Sequence, residues 1–271
     1  MAEQNTPLPI SSSKPPEFAP EQQQLFRDVL RILAEHRIPF AVSGAFALHE
    51  HTGIWRNTKD LDVFMPAEHV PQSMQTLQSH GLEIEVCDPV WLCKARIKEY
   101  FVDVISGMSN AVIRVDESWI QRAFDSEVFG IPVKVLAPEE LIASKIFVAF
   151  RERFDGADIA HIVYAAGNNM DWRRLLTLAG EHSSMLLWSL VFFQYVYPGS
   201  NAVPKMVWDE LLAKFHSDIE NPDPKATFRG TLLDEKMFAI DVAEWNLPNP
   251  LAEYRKNVEA QNENFIVEPA A

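Results

Sequence analysis

Apolar residues in this chain recur first at helical spacing and then in short alternating runs. Over residues 20–36, Leu25, Phe26, Val29, Leu30 and Leu33 fall at helical spacing, which predicts a helix with one core face. Pro20 suits its first turn. The preceding residues 1–19, rich in Pro, Ser and Gln, read as a loose tail. A short apolar strand over 39–42 then enters Ser43-Gly44-Ala45. A brief helical run, a polar loop and a second apolar strand carrying Asp60 and Asp62 follow. Residues 67–79 read as a helix ended by Gly81. Residues 82–86, 91–97 and 100–105 read as strands. Residues 118–124 suggest a short helix. Residues 128–135, interrupted by Gly130 and Pro132, suggest a hairpin or edge strand.

Beyond Leu136 the pattern becomes helical, over 138–151, 158–166, 172–179, 184–197 and 204–215. Residues 221–225, with prolines at 222 and 224, read as a linker. Residues 234–245 predict a final helix with Met237, Phe238, Ile240 and Val242 inward, and the last residues read as polar and loose. The predicted fold is α/β (α+β). It comprises a tail (1–19), an α/β domain with a mixed sheet flanked by helices (20–136), a C-terminal helical domain (137–250) and a loose tail (251–271).

Composition narrows the function classes. Hydrophobic residues make up 47% and charged residues 23%, which is ordinary for a globular protein. The net charge of −14 argues against extended nucleic acid as the main ligand, since that binding needs a basic footprint. It leaves a nucleotide open. Cys87 and Cys93 are the only cysteines, so no disulfide framework is expected and a cytoplasmic setting fits. No basic-then-apolar leader pattern is seen. The longest apolar run, 185–196, contains Ser189 and Gln194 and stops before Pro198. It is too short to span a bilayer, so a buried helix and no membrane partner are expected.

The candidate chemistry sits in residues 42–65, VSGAFALHEHTGIWRNTKDLDVFM. Side chains alternate along a strand, so Asp60 and Asp62 share one face while Leu61, Val63 and Met65 take the other. Two carboxylates about 7 Å apart can hold a hard cation such as Mg²⁺. The turn at Gly44 offers backbone N–H groups at a helix start, a usual place for phosphate. An acid-x-acid pair alone is weak: it also occurs at 83/85, 125/127 and 218/220. Only the pair at 60/62 combines an apolar strand with an upstream glycine turn.

That segment resembles the nucleotidyltransferase superfamily that includes polymerase β. It is most similar to bacterial domains of the abortive-infection-toxin kind, which read roughly GGxALxxHG…R-x-T-x-DLD. The likeness is carried by Gly44, Ala45, Ala47, Leu48, His49, Gly53, Arg56, Thr58, Asp60 and Asp62. Ser43-Gly44-Ala45 stands where those domains have Gly-Gly or Gly-Ser. The resemblance is specific over 40–65, partial to about 165 and thin beyond.

The resemblance implies Mg²⁺ (or Mn²⁺) on Asp60 and Asp62, with a third carboxylate on a neighbouring strand. Asp103, the only acid in the apolar strand 100–105, is the candidate. The alternative is a wetted edge-strand acid, and Asp88 and Asp116 are weaker substitutes. Lys145 follows a Pro-Glu-Glu-Leu start at 138–141, where relatives place a lysine to meet the triphosphate. The bland reading is a snorkelling lysine. Asp158 either orients Lys145 or caps its own helix, with capping preferred. Ser43 binds phosphate or caps the following helix. Arg56 and Lys59 neutralise phosphate or are solvated loop charges. His49 and His51 are expected to pack the loop, since Mg²⁺ prefers oxygen ligands. Trp188, Phe192, Phe193, Tyr195 and Tyr197 are expected to be core.

The expected activity is metal-dependent transfer of a nucleoside monophosphate from an NTP to a hydroxyl acceptor on a small molecule, protein or tRNA. Two alternatives stand beside it. One is a nucleotide-binding or toxin–antitoxin partner module with little turnover, which the altered turn favours. The other is an aminoglycoside-type nucleotidyltransferase, whose acidic surface would suit a cationic drug.

Overall fold

A computed structural model describes residues 11–56 and 58–262. The elements in chain order are β1 (Ser11–Ser12), α1 (Pro20–Glu35), β2 (Ala41–Val42), α2 (Gly44–Thr52), β3 (Trp55–Arg56), β4 (Leu61–Phe64), α3 (Val70–Ser79), β5 (Glu83–Asp88), β6 (Leu92–Ile97) and β7 (Tyr100–Ile105). They continue with α4 (Glu117–Arg122), β8 (Phe124–Val128), β9 (Ile131–Val135), α5 (Pro138–Ala143), α6 (Gly156–Ala166), α7 (Trp172–Ala179), α8 (Ser183–Val196), α9 (Lys205–Glu220), α10 (Ala239–Ala243) and α11 (Pro250–Asn262).

Seven strands form one mixed sheet in the order β5-β6-β7-β4-β2-β9-β8. β4 runs parallel to β7, β2 parallel to β9, and the remaining neighbours are antiparallel. β1 and β3 pair separately. α1 is a helix because its apolar residues repeat along one stripe. Phe26, Val29, Leu30 and Leu33 are fully buried, and the helix lies against β7 and β9. α2 contacts β4 of the sheet as well as α5 and α6, and α8 packs between α6 and α9. One apolar core runs from Leu25 to Leu211 through both the strand-rich and the helical part.

The structure departs from the sequence pattern in several places. The spacing predicts a helix over 138–151, but α5 stops at Ala143 and the chain tightens and turns back. The Val148 carbonyl accepts from the Asp155 amide at 3.0 Å, and Ala149 bridges to Phe154. A continuous helix, rising 1.5 Å per residue, would carry Asp155 and Asp158 away from Lys145 and leave its ammonium buried unpaired. The short helix expected over 118–124 ends at Arg122, because Phe124 opens β8. That strand returns through Phe129 and Gly130, both at positive φ (52° and 81°), the two-residue hairpin turn.

The final helix expected over 234–245 shrinks to α10. Met237 and Ile240 are about half exposed rather than inward. The Asp234 carboxylate accepts from the amides of Lys236 and Met237 and fixes a turn there instead. The polar stretch from Pro250, expected to be loose, forms α11. Arg255 binds both oxygens of Asp88 at 2.9 Å, and the Asn262 side chain donates to the carbonyls of Pro89 and Val90. The remainder of that tail, 263–271, lies outside the described residues, as do residues 1–10. Within the N-terminal stretch, the Phe18 ring packs on Phe26, Phe46 and Phe129.

The aromatic run on α8 is only partly core. Phe193 is buried, but Trp188 is 45% and Tyr195 85% exposed. Trp172–Val196 is long and apolar enough by composition to cross a membrane. Gly180, at φ 50°, breaks it into α7 and α8, and Leu175, Leu186, Leu190 and Phe193 point into the protein core.

Candidate active site

Two strand ends and a turn bring the acids together. The Ser43 amide donates to the Asp62 carbonyl at 2.9 Å, tying the turn to β4. Gly44 opens α2 at φ 58°, in the left-handed region, and a Cβ there would lie 1.7 Å from Asp62 Oδ2. No other residue fits, so the glycine lets a helix N-terminus sit directly against the Asp62 carboxylate. Thr58 Oγ1 donates to Asp60 Oδ1 at 2.7 Å and fixes that acid at the mouth of β4.

Asp62 and Asp103 are register partners on parallel β4 and β7, and Lys94 is the antiparallel partner of Asp103 on β6. Side chains of partnered residues leave the sheet on the same face, so Asp62, Asp103 and Lys94 form a row. Lys94 Nζ donates to Asp103 Oδ1 and sits 3.7 Å from the Phe101 ring centre. β7 lies between β6 and β4, and Asp103 is 9% exposed, so the wetted edge-strand alternative does not hold. Asp88 and Asp116 are occupied elsewhere, Asp88 by Arg255 and Asp116 as the N-cap of α4.

The row is short of positive charge. Burial pushes the Asp62 carboxyl up to about 7, and the neighbouring Asp60 and Asp103 carboxylates push the same way against Lys145 and Arg153. Burial also raises Asp103, although Lys94 opposes it. Carboxylates crowded on one cavity, with Asp62 and Asp103 both raised, fit a hard cation held through oxygen, which suits Mg²⁺ or Mn²⁺.

Lys145 does not snorkel. It is 7% exposed and donates to Asp155 Oδ2 at 2.7 Å and Asp158 Oδ2 at 2.9 Å. Arg153 grips Asp155 through two bonds of 2.8 and 2.9 Å, and Arg56 bonds Asp158 Oδ1. Burial alone would lower Lys145, but Asp158 and Asp155 override it and hold the ammonium charged. Asp155 stays well below the usual carboxylate range, since Arg153 and Lys145 outweigh its burial. Asp158 therefore pairs rather than caps. Ser43 likewise makes no capping bond.

Ser43, Gly44, Arg56, Lys59, Asp60, Asp62, Asp103 and Lys145 all line one cavity of about 560 Å³. The histidines are structural neighbours: His49 stacks on Trp55 at 4.1 Å and His51 Nε2 bonds the Leu136 carbonyl. A separate group of Glu68, His69 and Glu117 shares no residue with the cavity. Sequence reasoning missed Lys94 and Asp155. Lys94 could only be found by knowing the register of β6 on β7. Asp155 had a weak signal, an acid beside Arg153 in a stretch read as inter-helix loop.

A mixed sheet carrying Asp62 and Asp103 on one face, with Asp60 in the bend just before β4 and a glycine turn over them, defines a nucleotidyltransferase. The chain belongs to the family described as "Nucleotidyl transferase of unknown function (DUF2204)", whose model matches residues 22–175. Several solved structures are similar to it. ANT(2'')-Ia, in complex with adenylyl-2''-tobramycin, is 18% identical over 65% of this chain and 99% of its own, with a TM-score of 0.39. The lincosamide antibiotic adenylyltransferase LnuA, lincomycin-bound, is 14% identical over 54% and 98%, with a TM-score of 0.37. An antigenic nucleotidyltransferase-like protein from Paracoccidioides brasiliensis is 16% identical over 67% and 91%, with a TM-score of 0.41. No curated protein matches the chain.

Proposed function

We propose that this protein moves a nucleoside monophosphate from an NTP to a hydroxyl acceptor, releases pyrophosphate, and needs Mg²⁺ or Mn²⁺ to do so. The observation that carries this reading is the convergence of Asp60, Asp62 and Asp103 on one cavity against the Gly44 turn. Asp60 and Asp62 would hold the metal, with Asp103 beside them. When bound, the metal neutralises the triphosphate and activates the attacking oxygen. The chain's own groups do the rest. Backbone N–H groups at the Gly44 turn and the Ser43 hydroxyl bind phosphate oxygens. Arg56 and Lys59 add charge from the loop. An ammonium has three donors, and Lys145 uses two on Asp155 and Asp158, so its third is available to the triphosphate. Asp103 accepts the acceptor's proton.

The test is calorimetry of NTP binding with and without Mg²⁺. The wild type is expected to bind NTP more tightly with Mg²⁺, and Asp60→Asn/Asp62→Asn is expected to show no such gain. Equal metal dependence in both proteins would sink the assignment.

One observation favours a second reading, a nucleotide-binding or toxin–antitoxin partner module with little turnover. The Lys94 ammonium already sits on Asp103, the group expected to take the proton. Mg²⁺-dependent pyrophosphate release separates the two readings. The unpaired Cys87 and Cys93 suit a reducing cytoplasm under either.

A further inference from the structure

The sheet order gives the cavity two sides. Ser43 and Gly44 lie at the end of β2, across β4 from β7. Beyond Asp103, on the β7 and β6 side, the wall is made by Trp91, Phe101, Ile105, Met108, Asn110 and Leu232. Phe101 and Ile105 flank Asp103 at alternate positions of β7, so all three face the cavity. Attacking and leaving oxygens lie roughly in line in phosphoryl transfer. With the triphosphate on the Gly44 side, the attacking oxygen comes from the wall beside Asp103.

None of those six side chains is charged. Asn110 is satisfied internally, its Nδ2 donating to the Leu232 carbonyl at 3.0 Å and its Oδ1 accepting from the Val112 amide at 3.1 Å. Two ion pairs border the wall, Lys94 with Asp103 and Arg255 with Asp88. Lys94 stacks over Phe101, and Arg255 donates to the Ser109 carbonyl at 2.8 Å. The cavity's carboxylates are all engaged. Asp155 and Asp158 hold Lys145, Arg153 and Arg56, Asp103 holds Lys94, and Asp60 and Asp62 are assigned to the metal. A polycation entering here would lose its hydration shell and find no free carboxylate. A flat apolar ring would instead bury its face on Trp91 and Met108, beside the Phe101 ring that Lys94 covers. Leu232, from the segment before α10, adds to that wall, and the cavity's volume of about 560 Å³ is that of a pocket for a drug-sized molecule.

We infer that the acceptor is an uncharged hydroxyl compound of small-molecule size whose apolar ring lies on the wall at Trp91 and Met108. This rests on the transferase reading above. The acceptor oxygen forms a bond to the α-phosphorus as the bond from that phosphorus to the α,β-bridging oxygen breaks. Pyrophosphate leaves with the electron pair, and the hydroxyl proton passes to the Asp103 carboxylate.

In the test, the full chain receives Mg²⁺ and each α-labelled NTP. It is offered tobramycin and, separately, the small-molecule, protein and RNA fractions of a cell extract. Products are separated by size and charge. Calorimetric binding of each Mg²⁺–NTP is measured first. Absence of binding sinks the transferase reading itself, whereas binding with the label elsewhere sinks only this inference. The expected result is a labelled small product whose acceptor part carries no charge. Label on tobramycin or another cation, on protein, on RNA, or on nothing despite nucleotide binding would overturn it. Met108→Asp is expected to raise the KM for the labelled acceptor by at least ~10-fold while the NTP Kd stays unchanged. An unchanged KM in Met108→Asp overturns the wall assignment. Should the Met108→Asp melting curve show no folded protein, Met108→Lys places a charge at the same wall position and is read the same way.

Discussion

At the scale of single residues, Lys145 and Asp62 make opposite demands on the fold. Lys145 is an ammonium buried with its counter-charges, and removing one partner of such a group strands the others. Lys145→Met keeps the stem's packing but leaves Asp155 and Asp158 to the two arginines alone. It is expected to cost about 3–5 kcal/mol in urea denaturation. A loss below about 1 kcal/mol would show that the pairing does not form in solution. Asp62 is a carboxyl held protonated up to about pH 7, chiefly by burial and then by Asp60. An unfolded aspartate titrates near about 3.9. Between those values the folded state binds more protons than the unfolded one. The Asp62 contribution to stability is therefore full below pH ~4 and is lost as pH rises through about 7. Asp62→Asn should melt higher than the wild type at pH 8 without metal, and no higher at pH 4. Mg²⁺ at pH 8 should reverse the first order, because only the wild type keeps the carboxylate that binds it. A lower melting temperature for Asp62→Asn at pH 8 without metal would mean the acid is structural.

At the scale of elements, the row across β4, β7 and β6 decides what Asp103 does. Its register with Asp62 sets the two carboxylates side by side, where the proposed metal would lie, and its register with Lys94 pairs it with an ammonium. If Asp103 serves only the attacking oxygen, Asp103→Asn still binds Mg²⁺–NTP through Asp60 and Asp62. Turnover is expected to fall at least ~10²-fold, the scale for losing a positioned base or an activating ion. Asparagine is nearly isosteric, but it leaves the Lys94 ammonium with a weaker partner, so a melting curve is run beside the kinetics. Full turnover in Asp103→Asn would remove it from the chemistry. With Asp88 and Asp116 already engaged, neither offers a ready replacement.

At the scale of the whole molecule, the far end of the chain returns to brace the acceptor side. α11 places Val258 against Val90 and Ala111, and its Arg255 joins Asp88 of β5 to the Ser109 carbonyl in the loop after β7. Arg255→Met removes those bonds while keeping much of the stem. Bonds to a charged group are worth about 1.5–3 kcal/mol at most, less here because the pair is partly wet. The melting temperature should fall by roughly 2–6 °C. NTP affinity should stay the same, since the Gly44 turn is untouched, while acceptor KM rises. An unchanged melting temperature and KM would mean that α11 does not hold this wall in solution.

What the sequence determined by itself was local. The 3.6-residue stripe of α1, the apolar strand behind Asp60 and Asp62, and the Ser43-Gly44-Ala45 turn are each written within a few residues. Alternation along the strand placed Asp62 opposite Leu61 and Val63, but Asp60 lies in the bend before β4, and the fold rather than strand alternation brings it to the same cavity. Asp103 was legible too, as a lone acid in an apolar strand. What only the tertiary structure decided was pairing between segments distant in the chain. Lys94 meets Asp103 through the register of β6 on β7. Asp155 and Asp158 meet Lys145 because the chain breaks its helix at Ala143 and turns back. Polar residues 250–262 become a helix through Asp88, Pro89 and Val90. A buried charge can be satisfied from any segment that folds beside it, and a polar helix can be stabilised by partners anywhere in the chain. Neither leaves a periodic trace in its own residues.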